Sequence, residues 1–136
     1  MRITAIKAAA GFIMFASMLL GAASVFAQGG GKAEPKRIVF AADTTSKTIT
    51  GTLANGQEQD HVFAAREGQQ VTLVNSNTGL FDIRVYNEEF DFETEFDSSR
   101  TLAFTVPATG DYLLFVRKKI VRAPRSSRFS IRLTIR

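Results

Sequence analysis

The chain has 136 residues and lacks cysteine and tryptophan altogether; it carries one histidine and three prolines. Without cysteine there is no disulfide framework, no thiol nucleophile and no thiolate-bound metal. A lipid anchor on a cysteine behind the leader is excluded for the same reason. No glycine-rich phosphate cradle occurs. After Ala27 no apolar run approaches the ~20 residues of a membrane helix, so membrane insertion is not expected. The lone His61 lies beside Val62 and Phe63 in a strand-like pattern, where a structural role is expected. With neither a second histidine nor a cysteine beside it, it supports no zinc site. The sequence is therefore expected to be no enzyme, with no catalytic residue, no cofactor and no metal.

What is present begins with a leader. Arg2 and Lys7 precede an apolar stretch from Ala8 to Phe26, and Val25-Phe26-Ala27 ends it on a small residue. This pattern predicts a signal peptide over residues 1–27 and export, with a bacterial periplasm as the expected location. Removing 27 of the 136 residues leaves 109, enough for one domain with a real core. Arg2 and Lys7 leave with the leader, so the remainder holds 15 Lys+Arg against 13 Asp+Glu. Residues 28–36, with three glycines and Pro35, read as a flexible N-terminal segment. Residues 37–136 are expected to form a single domain.

Within that domain the apolar residues alternate, the signature of strands with one buried face. Ile38, Phe40 and Ala42 share one parity, as do Ile49, Gly51 and Leu53. Phe63 with Ala65, Val71 with Leu73, and Phe81, Ile83 and Val85 continue the pattern. Leu102, Phe104 and Val106 follow, then Phe129, Ile131, Leu133 and Ile135. Tyr112 to Val116 is apolar on both parities, which predicts a strand covered on both faces. Asn55-Gly56, Glu67-Gly68 and Thr109-Gly110 supply turns, and Pro107 ends a strand by removing a ladder donor. The reading is all-β: an antiparallel, jelly-roll-like sandwich of about eight strands. Phe104, Tyr112, Leu114, Phe129, Ile131 and Leu133 are expected in its core. An outer-membrane barrel would need longer strands with an apolar lipid face, and the last strand instead turns arginines outward.

Charge is segregated. Glu88 to Asp97 holds six acids and no base, interleaved with Phe90, Phe92 and Phe96. Arg117 to Arg136 holds eight bases and no acid. The acidic run is expected to be a solvated loop pinned by its phenylalanines, and a Ca²⁺ site is the functional alternative. Six like charges between Arg117 and Arg128 repel unless a counter-charge is near, and the acidic run could supply part of it. Pro124, Ser126 and Ser127 mark the basic stretch as a loop between the last two strands. A loop on a rigid scaffold is where binding residues collect. Nucleic acid is not the expected partner, because export removes it from reach and no aromatics interleave these bases for stacking.

Three segments carry a resemblance. They are Gly51-Thr52-Leu53, His61-Val62-Phe63-Ala64-Ala65-Arg66-Glu67-Gly68-Gln69 and Val106-Pro107-Ala108-Thr109-Gly110-Asp111-Tyr112. Together they resemble the bacterial pre-peptidase C-terminal type of β-sandwich domain, with His61 standing where that pattern has tyrosine. A leader followed by one such domain is similar to the periplasmic inhibitors of goose-type (g-type) lysozyme. That resemblance implies a protein partner, g-type lysozyme, and an inhibitory loop containing Lys118, Lys119, Arg122 and Arg125. The alternative it leaves open is a non-catalytic binding module for cell-envelope carbohydrate, calcium or protein.

Overall fold

The structure, a computed structural model, describes residues 34–136. The expected leader and residues 28–33 of the flexible segment lie outside the described residues. Nine strands form, in the order β1 (Lys36–Arg37), β2 (Ser46–Ala54), β3 (Glu58–Ala65), β4 (Gln70–Asn75), β5 (Phe81–Asn87), β6 (Phe92–Glu93), β7 (Thr101–Thr105), β8 (Gly110–Lys118) and β9 (Ser126–Ile135). No helix occurs among the described residues. One sheet has the order β1-β3-β8-β5-β6 and the other β2-β9-β4-β7. Without β1 these are two four-stranded sheets in jelly-roll order, which matches the architecture read from the sequence. Every pairing is antiparallel except β1 with β3.

The core lies between the sheets and follows the alternation. Phe63, Phe81, Ile83, Val85, Tyr112, Leu114 and Val116 line one side; Val71, Leu73, Phe129, Ile131 and Leu133 line the other. Five of the six expected core residues are fully enclosed, namely Tyr112, Leu114, Phe129, Ile131 and Leu133. Phe104 is not. It lies on β7, the edge of its sheet, and packs against the core while staying partly exposed. Gly51 is placed by a close approach: a Cβ there would stand 2.7 Å from the Phe129 ring.

Other expectations are corrected. Strand pairing around Ile38, Phe40 and Ala42 stops at Arg37, because the chain must cross to the second sheet before β2. It crosses through a turn in which Thr44 donates its N–H to the Ala41 carbonyl at 3.1 Å, with Asp43 at φ 63°. Strand β8 is not sealed on both faces. Leu113 and Phe115 on its outer side are only half-buried, with Phe115 beside Tyr86 (6.4 Å between centroids) and the Arg84 guanidinium (5.5 Å).

The segment Pro107 to Tyr112 closes on itself. The Tyr112 hydroxyl donates to the Ala108 carbonyl at 2.5 Å, and the Ala108 N–H reaches that hydroxyl at 3.3 Å. The Thr109 hydroxyl accepts from the Glu67 N–H at 2.9 Å, joining two turns at this end of the sandwich. This segment, one of the three that carry the resemblance, thus leads into β8 through a turn closed by side-chain hydrogen bonds.

Candidate functional site: the loop joining β8 to β9

The loop Lys119–Arg125 connects the strand at the middle of one sheet to an interior strand of the other. Its lower boundary is set by an unusual core residue. Lys118 has the same parity as Tyr112, Leu114 and Val116, so its side chain enters the end of the core and is fully enclosed. A buried ammonium needs hydrogen-bond partners. It has two: the Asn55 Oδ1 at 2.7 Å and the Lys119 carbonyl at 3.0 Å.

Asn55 also shapes the loop itself. Its Nδ2 donates to the Val121 carbonyl at 2.7 Å and its Oδ1 accepts from the Val121 N–H at 3.3 Å. Its backbone N–H reaches the Arg125 carbonyl at 2.9 Å. The neighbouring Gly56 N–H donates to the Lys118 carbonyl at 3.0 Å. The β2–β3 turn therefore grips the loop at its start, middle and end. Lys119 is half-buried; its N–H goes to the Leu80 carbonyl at 2.8 Å and its Nζ to the Thr78 carbonyl at 3.0 Å. The peptide bond between Ala123 and Pro124 is cis.

The four loop residues implied by the resemblance thus divide. Arg122 and Arg125 are exposed, and neither side chain bonds to any described residue. Lys119 is partly engaged with the scaffold. Lys118 is withdrawn from the surface, so an expectation that it meets a partner is corrected: its position on the inward parity of β8 decides its burial. Two residues that the sequence does not single out belong to this region. Asn55 is legible only as a turn residue, because its partners lie more than sixty positions away. Ile120 is 81% exposed, and nothing in a mixed loop sequence marks an aliphatic residue as turned outward.

The flanking arginines are spoken for. The Arg117 guanidinium makes a two-point contact with Asp82 (2.9 and 3.1 Å) and lies 3.7 Å from the Phe96 ring centroid. Hydrogen bonding to Asp82 raises its pKa above the ordinary value. Arg128 donates to the Thr50 hydroxyl at 3.1 Å.

The first turn of the acidic run stands away from this loop. Phe81 pairs with Lys118 at one end of the β5–β8 ladder, and the Glu88–Asp91 turn follows Asn87 at the other. At that far end Asn87 Nδ2 donates to the Asp111 carbonyl at 2.5 Å. Phe90 and Phe92 anchor the segment beside Tyr112, at 6.3 and 5.7 Å between centroids. Phe96 instead lies outside the core cluster, beneath Arg117. Glu93 pairs with Arg84 at 2.9 Å. The Ser99 N–H caps Asp97 and lowers its pKa. Among the described residues no three His, Cys, Asp or Glu stand together as metal ligands.

His61 is buried against Phe129, with ring centroids 6.3 Å apart and nearly perpendicular. Burial lowers its pKa most, the Lys36 charge lowers it further, and Asp60 opposes them. Its Nε2 has no partner among the described residues.

These features define a class: a jelly-roll sandwich that presents a braced, cationic loop between its two sheets. No protein-family model and no curated protein sequence matches the chain. Solved structures do match in fold. The Salmonella Typhimurium PliG, a periplasmic inhibitor of g-type lysozyme, is similar at 21% identity and TM-score 0.63, over 77% of this chain and all of that one. The Aeromonas hydrophila PliG, with the same described activity, is similar at 19% identity and TM-score 0.62, over 75% of this chain and 96% of that one. The pre-peptidase C-terminal domain of a Bacillus anthracis collagenase is similar at 16% identity and TM-score 0.52, over 79% of this chain and all of that one.

Proposed function

We propose that this protein is an exported, periplasmic inhibitor of g-type lysozyme and that it acts by binding, not by catalysis. The observation that carries the reading is the braced loop: Arg122 and Arg125 are exposed and unpaired among the described residues, on a backbone fixed by Asn55. The fold shared with two PliG inhibitors supports it. So does the export signal read at residues 1–27, because a periplasmic inhibitor stands beside the peptidoglycan that lysozyme attacks.

The chemistry is straightforward. A glycosidase cleft carries a catalytic carboxylic acid and a second carboxylate. Guanidinium groups form charge-assisted, often two-point bonds to carboxylates. Arg122 and Arg125 are placed to make them, with Lys119 beside them, while the loop blocks the sugar path. A loop already held in one conformation loses little freedom on binding. Lys118 serves this arrangement from within, as the loop's buried footing. No cofactor, metal or nucleic acid enters the mechanism.

The test is a cell-wall lysis assay with a goose-type lysozyme. The mature protein is expected to protect the walls, and the Arg122→Glu, Arg125→Glu double variant is expected not to. Equal protection by both would remove the loop from the mechanism. The likeness to the collagenase domain favours a second reading, a binding module for a cell-envelope partner; it takes over if the parent itself gives no protection.

A further inference from the structure

Charge alone does not describe the surface of this loop. Lys119 is held through its N–H and its Nζ, by the Leu80 and Thr78 carbonyls. Val121 is held on both sides by the Asn55 carboxamide. Ile120 stands between these two fixed residues and is 81% exposed. Among the described residues the other large exposed hydrophobic is Val39, at 66% and away from the loop. A lone surface aliphatic residue is ordinary by itself. This one is distinguished by its setting: both neighbours are held by the scaffold, and it stands in the loop that also exposes Arg122 and Arg125. Its nearest support is Gly56, where a Cβ would lie 3.8 Å from the Ile120 Cδ1 and Cγ1. A groove of about 500 Å³, bordered by Glu58, Asp82 and Arg117, runs beside it.

We propose that Ile120 is the apolar anchor of the inhibitory interface. It enters a hydrophobic subsite on the wall of the lysozyme cleft, next to the carboxylates met by Arg122 and Arg125. This rests on the lysozyme reading and adds to it a partner surface of mixed chemistry, an apolar notch bordered by acids. The division of labour follows from physics. Steering by arginines weakens as salt rises. Burial of an aliphatic side chain does not, and it lowers the heat capacity on binding. A central apolar anchor ringed by polar contacts is the common anatomy of a binding hot spot.

The experiment measures binding of the mature protein to a goose-type lysozyme by calorimetry at low and high ionic strength. Ile120→Ser is expected to weaken binding by ~10–100-fold, the factor that corresponds to burying one such side chain. The loss should be equal at both ionic strengths, with a smaller heat-capacity change and an unaltered melting temperature. Ile120→Leu should restore most of the affinity. Undiminished binding by Ile120→Ser overturns the proposal and leaves the inhibitor reading intact. A loss accompanied by a lowered melting temperature or an altered salt dependence overturns it too, since the loop itself would then have changed. Failure of the parent to bind at all removes both.

Discussion

The ammonium of Lys118 stands 2.7 Å from the carboxamide oxygen of Asn55, and the same carboxamide holds Val121 from both sides. One side chain thus satisfies a buried charge and fixes the loop above it. Asn55→Ala should leave the ammonium with the Lys119 carbonyl alone and release Val121, at a cost of ~1–3 kcal/mol. Lys118→Met keeps the volume and removes the charge, and should cost clearly less. Chemical denaturation of the two variants gives the comparison. Faster hydrogen exchange at the Val121 amide in Asn55→Ala would show the loop released.

Phe129 and Phe104 test how depth sets the cost of truncation. Phe129 is fully enclosed beside Phe81 (5.8 Å) and His61 (6.3 Å). Phe129→Ala should cost ~3–5 kcal/mol. Phe104 leans on Phe92 (4.9 Å) at an edge strand and keeps part of its ring in water. Phe104→Ala should fall below that range, since less surface was removed from water to begin with. Equal shifts in the two denaturation midpoints would contradict this ordering.

These two phenylalanines also show what the sequence can and cannot convey. Ile131 and Leu133 alternate with Arg132 and Thr134, and a period of two is enough to place them inward. Phe104 alternates just as cleanly, but period does not say whether a strand is central or at an edge. Lys118 is hidden for a related reason. A lysine in a basic run looks like surface, and only its parity on β8, together with a distant asparagine, makes burial tolerable. The opposition of the acidic turn and the basic loop is likewise invisible in the chain. It depends on β5 and β8 running antiparallel, which puts Glu88 and Lys119 at opposite ends of one ladder. The all-β character and the approximate number of strands are legible, because alternation and turn residues are local.

The single histidine gives the protein one pH-sensitive element near neutrality. Burial holds the His61 imidazole below its usual range, with Lys36 adding to the effect and Asp60 opposing it. The unfolded chain takes up a proton near pH ~6.5, and the folded chain resists it. Stability is therefore full above that pH and falls as the pH drops through it. The slope is at most ~1.4 kcal/mol per pH unit and persists until the folded imidazole is protonated. Melting temperatures measured from neutral to mildly acidic pH should decline in the parent and stay level in this window for His61→Phe. An unchanged slope in the variant would assign the effect to another group.

For the loop, the expected kinetic signature is electrostatic. Under the proposed inhibitor role, association with lysozyme should slow as salt rises, through steering by Arg122 and Arg125. Arg122→Glu with Arg125→Glu should leave the melting temperature within the small range usual for surface changes. It should weaken binding by ~2–5 kcal/mol for each buried arginine–carboxylate pair that is broken. Glu88→Lys with Glu89→Lys, at the far end of the sheet, is the control and should leave affinity nearly unchanged. Stopped-flow association at several salt concentrations measures both. A salt-independent rate in the parent would contradict the steering role.

The loop's roots have a consequence for how such a protein can change over generations. It leaves the sheet from β8, which is flanked by β3 and β5, and it returns through β9, flanked by β2 and β4. Neither root is an edge strand, so both are fixed whatever the intervening residues are. Asn55 grips the segment between them through backbone groups of Val121 and Arg125, which does not depend on the side chains there. Under the proposed inhibitor role, an altered cleft would be followed by rewriting residues 120–125 alone, with Asn55 and the buried lysine kept as the socket.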